Sequence, residues 1–162
     1  MGEGARNLLR DGYPANPDGM YHQTNTIPVD RTTFLPPSVF HLSLGPFPRV
    51  YDYLGDGSTF IVDAPGHLPG HINLLVRTNP HGSWLYLAGD SAHDLCCLTG
   101  GKELEASAQS DYQAAVDHVQ RVGKLLQLSK VQVILAHDIV WFVDNKDKAV
   151  WFPGIIPASE ED

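Results

Sequence analysis

Short apolar runs separated by turn residues occupy the middle of the chain. They are rich in β-branched and aromatic residues, and such runs predict β-strands. Five of them lie at 39–44, 50–54, 59–63, 72–78 and 84–88. Gly-Asp-Gly-Ser and Asn-Pro-His-Gly-Ser connect the second run to the third and the fourth to the fifth, which predicts two hairpins. The density of apolar residues predicts a sheet that is covered on at least one face.

A helical period replaces this pattern after residue 110. Apolar residues recur at three- and four-residue spacing from Tyr112 to Leu126, which predicts an amphipathic helix with one buried face. Ser110 and Asp111 suit the start of that helix, because their side-chain oxygens can accept from its first amide groups. A last apolar run at 131–136 predicts a final strand. Strands followed by a helix and another strand predict an α/β or α+β domain.

Turn-forming residues dominate the first 37 positions. Because no helical or strand period persists there, residues 1–37 are predicted to form an extended N-terminal arm. That arm either lies over a partner or is the remnant of something larger. Residues 38–157 are predicted to form the domain, with a covering segment that begins at Trp141, and residues 158–162 an acidic tail.

Composition argues against several classes of partner. Acidic residues outnumber basic ones 19 to 11, and the resulting net charge of −8 disfavours nucleic acid and anionic membranes as partners. No apolar run is long enough for a membrane span, and the N-terminus lacks the apolar core of a signal peptide. Cys96 and Cys97 are adjacent in sequence and are interpreted as reduced thiols. A cytoplasmic location is therefore expected.

Candidate chemistry lies at the ends of the predicted strands. Residues 63–71 form a turn rich in glycine and proline that carries His67 and His71. Asp90 and His137 each follow a predicted strand. Because strands of one sheet present their ends along one edge, two imidazoles and a carboxylate there can coordinate a transition metal. Each residue taken singly has an ordinary structural role in a turn as its alternative.

Three ordered motifs carry a resemblance to a known family. They are Ala-Pro-Gly-His-Leu-Pro-Gly-His at 64–71, Leu-Ala-Gly-Asp at 87–90 and Leu-Ala-His-Asp at 135–138. Together they resemble the later motifs of the metallo-β-lactamase superfamily, and the strongest likeness is to its lactonase-like hydrolases. The resemblance implies an α/β fold that is half of an αββα sandwich. Such a half is a mainly antiparallel sheet with one long amphipathic helix packed on it.

The resemblance also implies roles for individual residues. His67 matches a ligand of the first metal, Asp90 the carboxylate that bridges both metals, and His137 a ligand of the second. His71 matches a structural position that supports the loop. His93 stands where acyl-homoserine lactonases carry a substrate-contacting tyrosine, so it is a candidate hydrogen-bond donor or proton carrier. A solvated surface histidine is the alternative for His93.

The first motif of the superfamily, His-x-His-x-Asp-His, does not occur in this sequence. The chain is therefore expected to resemble the C-terminal half of the fold alone, and a dinuclear site within one chain is not expected. Two possibilities follow for His67, Asp90 and His137. They form either a mononuclear zinc site or a metal-free site in which they act as acid and base.

The function expected from these residues is that of a small-molecule enzyme derived from metal-dependent lactone or ester hydrolases. Its candidate catalytic residues are Asp90, His137, His67 and His93. The reaction is either a hydrolysis or a metal-free isomerisation, cyclisation or elimination. The alternative is a non-catalytic half-domain that binds a ligand or complements a partner chain. Because the missing half leaves an apolar sheet face bare, a homodimer is predicted in which a second copy covers that face.

Overall fold

The structure is a computed structural model and describes residues 1–10, 12–19, 21, 29–151 and 154–156. Its strands are β1 (Leu42–Leu44), β2 (Phe47–Asp52), β3 (Thr59–Asp63), β4 (Ile72–Arg77), β5 (Trp84–Gly89) and β6 (Val131–Leu135). They form one six-stranded sheet in chain order. Neighbours from β1 to β5 are antiparallel, whereas β5 and β6 are parallel. The mainly antiparallel sheet predicted from the sequence is confirmed. The predicted acidic tail lies outside the described residues.

The α-helices of the described residues are α1 (Ala5–Arg10), α2 (Leu95–Leu98), α3 (Tyr112–Gly123) and α4 (Ile139–Asn145). Short 3-10 segments occur at Val29–Arg31, Pro37–Val39, Ala106–Ala108 and Lys124–Gln127. The predicted amphipathic helix is confirmed as α3. Asp111 caps it, because its Oδ1 accepts from the amide of Ala114 at 3.0 Å. Helices α1, α2 and α4 are too short for an apolar period to reveal them in the sequence.

Helix α3 covers one face of the sheet, and the core lies between them. Phe47, Val62 and Tyr86 are buried on the sheet side, and the rings of Phe47 and Tyr86 stack with centroids 5.2 Å apart. Val119 and Val122 are buried on the helix side. Burial of these apolar side chains is what holds β6 beside β5 at the end of the crossover through α3.

The opposite face of the sheet carries an apolar row that spans five strands. The strand register pairs Tyr51 with Ile61, Ile61 with Leu74, Leu74 with Leu87, and Leu87 with Ile134. Ile61 is only 6% exposed, whereas Leu87 is 37% exposed. One end of this row is therefore covered and the other is open to solvent.

Residues of the N-terminal segment cover the closed end of the row. Met1 and Leu35 line a cavity together with Ile61 and Leu74. The amide of Leu35 donates to the carbonyl of Met1 at 2.8 Å, and the amide of Gly2 donates to the carbonyl of Gly70 at 3.0 Å. The described part of residues 1–37 thus packs on its own chain, whereas the domain boundaries themselves stay a prediction. In the part of the chain that the structure describes, no helix has the length and apolar character that a membrane span requires.

Candidate functional site

The predicted site residues meet at one edge of the sheet. The loop that joins β3 to β4 carries His67 and His71, and Asp90 directly follows β5. His137 follows β6, which lies parallel to β5, so the two strands end on the same side. The parallel pair therefore delivers Asp90 and His137 to one place, as the sequence predicts.

Asp90, His93 and His137 form a compact group of possible metal ligands. One ligand atom from each lies within 4.8 Å of the other two. The Nε2 atom of His137 is 2.9 Å from Oδ1 of Asp90. The ring of His93 lies against that of His137, with centroids 4.5 Å apart and planes at 60°. Asp90 is half-buried and both histidines are exposed, so the group is open to a ligand from solution.

His67 lies beside this group rather than in it. Its ring centroid is 5.9 Å from that of His93 and 5.4 Å from that of His71. The set predicted from the sequence was His67, Asp90 and His137, and the structure groups His93 with the last two instead. The signal for this in the sequence is the Asp-x-x-His spacing from Asp90 to His93 within one turn.

The loop of His67 is fixed by direct packing against the start of α3. The amides of Ser110 and Asp111 donate to the carbonyls of His67 and Gly66 at 3.0 and 2.9 Å. Gly66 has a φ of +117°, and a Cβ at this position would lie 2.2 Å from the amide nitrogen of Ala115. Only glycine allows this approach, so Gly66 sets the distance between the loop and the helix.

A buried polar network supports the turn that carries Asp90. Oδ1 of Asn73 accepts from the hydroxyl of Tyr86 at 2.8 Å and the hydroxyl of Ser91 at 3.0 Å, and lies 2.8 Å from Nε2 of His118. Its Nδ2 donates to the carbonyl of Ala88 at 2.7 Å. Because Ala88 and Ser91 flank the turn on both sides, the network holds Asp90 in position. The sequence carries a signal for this network that was not recognised. Two polar residues occupy core positions, Asn73 in β4 and His118 in the apolar stripe of α3.

Burial decides the charge of the histidine in this network. Desolvation, with smaller electrostatic contributions from His71 and Arg121, lowers the pKa of His118 to about 4. The neutral ring donates from Nε2, since the Asn73 oxygen can only accept. Burial likewise lowers the pKa of His71. These two rings are therefore neutral at neutral pH.

Two cavities flank the Asp90, His93 and His137 group. One of about 540 Å³ is lined by Tyr21, His67, Leu68, Asp90 and residues 107–110. The other, of about 580 Å³, is lined by His93, Asp94, Cys97, residues 102–105 and Gln109. Burial raises the pKa of the Cys97 thiol, so this thiol is protonated at neutral pH.

The donor set fits one divalent transition-metal ion. Two imidazole nitrogens and one carboxylate oxygen form a three-ligand set that leaves coordination positions open for water or substrate. The Nδ1 atom of His67 is buried and has no hydrogen-bond partner among the described residues.

Several known proteins are similar to this chain in sequence. The chain is 25% identical to the metallo-hydrolase mfmC of Annulohypoxylon moriforme, over 99% of this chain and 51% of that protein. It is 36% identical to the N-acyl homoserine lactonase AttM of Azorhizobium caulinodans, over 54% of this chain and 32% of that protein. These relatives confirm the resemblance to the lactonase-like hydrolases of the metallo-β-lactamase superfamily. The match covers only part of each relative, and the sheet with α3 agrees with the α/β fold that the resemblance implies.

A third relative is a much longer protein. The chain is 32% identical to the cytochrome P450 monooxygenase mpaDE of Penicillium brevicompactum, over 85% of this chain. The chain spans about a fifth of that relative, 19% of its length. No protein-family model matches the sequence.

Proposed function

We propose that this chain forms a hydrolytic site that opens a small lactone or related ester, with one zinc ion held by Asp90, His93 and His137. The observation that carries the proposal is the convergence of one ligand atom from each residue within 4.8 Å. The reaction class is supported by relatives named as a metallo-hydrolase and a lactonase. Because the chain spans only part of these relatives, the activity is proposed for this chain and not carried over from them.

Each of these residues has its own role in the proposed reaction. When bound, zinc supplies a Lewis acid that polarises the substrate carbonyl and lowers the pKa of water. Asp90, His93 and His137 would hold the ion at the edge of the sheet. His67 lines the 540 Å³ cavity together with Asp90, where it accepts a proton from the attacking water and returns it to the leaving alkoxide. The water oxygen bonds to the carbonyl carbon, the ring C–O bond breaks, and a hydroxy acid results.

A metal-free reaction is the second candidate, and a separate contact favours it. The 2.9 Å distance between Nε2 of His137 and Oδ1 of Asp90 is that of an imidazole–carboxylate pair, which can move protons without a metal. This pair would support an isomerisation, cyclisation or elimination of a small molecule. The two candidates differ in whether a chelator abolishes activity.

The test compares variants on a simple lactone. Purified chain is assayed for opening of γ-nonalactone with added zinc and with a chelator, beside Asp90→Asn and His137→Ala. His81→Ala is the control, since His81 is exposed in the turn at the opposite end of β5. Zinc-dependent opening that falls at least about 100-fold in the two site variants but not in the control supports the proposal. Opening that persists with the chelator contradicts the zinc site, and no opening at all contradicts the hydrolytic proposal.

The partner in this proposal is a second copy of the chain. Four apolar side chains of α4 are largely exposed, namely Ile139 at 66%, Val140 at 64%, Phe142 at 47% and Val143 at 53%. An exposed apolar surface of this kind is typical of an interface. Because α4 directly follows His137 and Asp138, a homodimer through this helix would border the site and shield it from water.

A further inference from the structure

An apolar cavity of about 220 Å³ lies next to the candidate site. One wall comes from the N-terminal segment and the other from the loop between β3 and β4. The lining residues are Met1, Ala5, Leu8, Leu9 and Tyr21 on one side and 68–72 on the other. No Asp, Glu, Lys or Arg side chain lines it. An apolar cavity of about 150 Å³ is already large enough to bind benzene, so this one can hold a hydrocarbon group.

Close backbone packing fixes the two walls at their spacing. Besides the bond from the Gly2 amide to the Gly70 carbonyl, Gly70 approaches the first residue of α1 closely. A Cβ on Gly70 would lie 2.4 Å from the amide nitrogen of Ala5, and the φ of Gly70 is +77°. The cavity is thus a built feature of the fold, because α1 is held against the loop by main-chain contact on one side of it.

The cavity adjoins the space that contains the chemical groups. Tyr21 and Leu68 line both this cavity and the 540 Å³ cavity that holds His67 and Asp90. A molecule with its reacting carbonyl beside Asp90 can therefore extend past these two side chains into the apolar space. An ionised group would lose its hydration there without an Asp, Glu, Lys or Arg side chain as partner, which favours an uncharged occupant.

We propose that this cavity binds the apolar substituent of the substrate, a neutral alkyl, alkenyl or aromatic group attached to the lactone or ester. The specificity surface is then Leu8 and Leu9 of α1 together with Leu68 and Ile72 of the loop. This inference rests on the proposed function for the identity of the reacting group. Binding of the apolar group itself does not depend on hydrolysis, so the two can fail separately.

The first test measures binding without chemistry. Full-length protein labelled with ¹⁵N is titrated with n-hexanol, which has a hydrocarbon chain but no reactive carbonyl. We expect saturable shifts at the amides of Leu8, Leu9 and Gly70, and their loss in Leu9→Trp and Leu8→Trp, which fill the cavity. Leu128→Trp is the matched control, because Leu128 is 50% exposed and lies outside the cavity. No saturable shift in the wild type, or equal binding in both cavity variants, overturns the inference.

The second test measures specificity in a lactone series from γ-valerolactone to γ-nonalactone. Each buried methylene is expected to raise kcat/KM about fourfold until the cavity is full. Leu9→Trp should remove this dependence while Leu128→Trp retains it. A wild-type rate that is independent of chain length contradicts the inference. If hexanol binds as expected but no lactone is opened, the proposed reaction is wrong and the apolar site stands.

Discussion

The Nε2 atom of His137 lies 2.9 Å from the Oδ1 atom of Asp90, across the parallel pair β5 and β6. Parallel neighbours require a crossover, and here the crossover runs through α3. Packing of α3 on the sheet brings β6 back beside β5, so that both strands end at the same edge. This placement brings His137 next to Asp90. The site therefore depends on the core beneath it.

Replacement of Asn73 should destabilise the protein strongly. In Asn73→Leu the donors of Tyr86, Ser91 and His118 lose their common acceptor inside the core. We expect the free energy of unfolding to fall by about 3–5 kcal/mol, measured by urea denaturation. Tyr86→Phe removes a single donor and should cost only about 1 kcal/mol. Equal losses in the two variants would contradict the network.

Stability should decrease as the pH falls below neutrality. The pKa of His118 is about 4 in the folded chain and near 6.5 when unfolded. The unfolded chain therefore binds this proton first, and unfolding becomes easier between pH 6.5 and pH 4. The contribution of His118 is at most about 3 kcal/mol and is fully present above that range. Urea denaturation across the range should show a shallower pH dependence in His118→Gln, which keeps an N–H donor. An unchanged slope in this variant would show that His118 is not the group responsible.

A methyl group on Gly66 should separate the His67 loop from α3. Its Cβ would meet the Ala115 amide at 2.2 Å in a backbone conformation with φ of +117°. We expect Gly66→Ala to lower the free energy of unfolding by about 3 kcal/mol or more. Gly57→Ala is the control, because Gly57 also has a positive φ, +72°, but nothing lies within 4 Å of its Cβ. That variant should cost about 1 kcal/mol. A cost for Gly66→Ala no larger than that of the control would argue against the close packing.

The exposed face of α4 should determine the oligomeric state. Sedimentation velocity is expected to find a dimer at micromolar concentration and a monomer for the double variant Val140→Glu, Val143→Glu. Charges placed in an apolar interface lose hydration without gaining a partner. Leu54→Glu is the control, since Leu54 is 60% exposed in the turn between β2 and β3 and far along the chain from α4. A wild-type monomer would refute the dimer.

Much of the fold could be predicted from the sequence, because long periodic segments identify their own structure. The strands and α3 repeat their apolar patterns over enough residues to be recognised. The glycines and prolines of residues 63–71 likewise identify the site loop as a turn. The position of His93 could not be predicted in the same way. It depends on how the turn after β5 bends toward β6, which is set by Asn73 and Ser91 through tertiary contacts. Helix α4 was missed because seven residues show no clear period.

Zinc binding to single-site variants tests the central claim most directly. Titration calorimetry of metal-stripped protein should find one zinc ion per chain. Asp90→Asn, His93→Ala and His137→Ala should each weaken zinc binding more than about 100-fold, whereas His67→Ala should weaken it less than about tenfold. Absence of zinc binding by the wild type, or a loss in His67→Ala as large as that in His93→Ala, would contradict a centre formed by Asp90, His93 and His137.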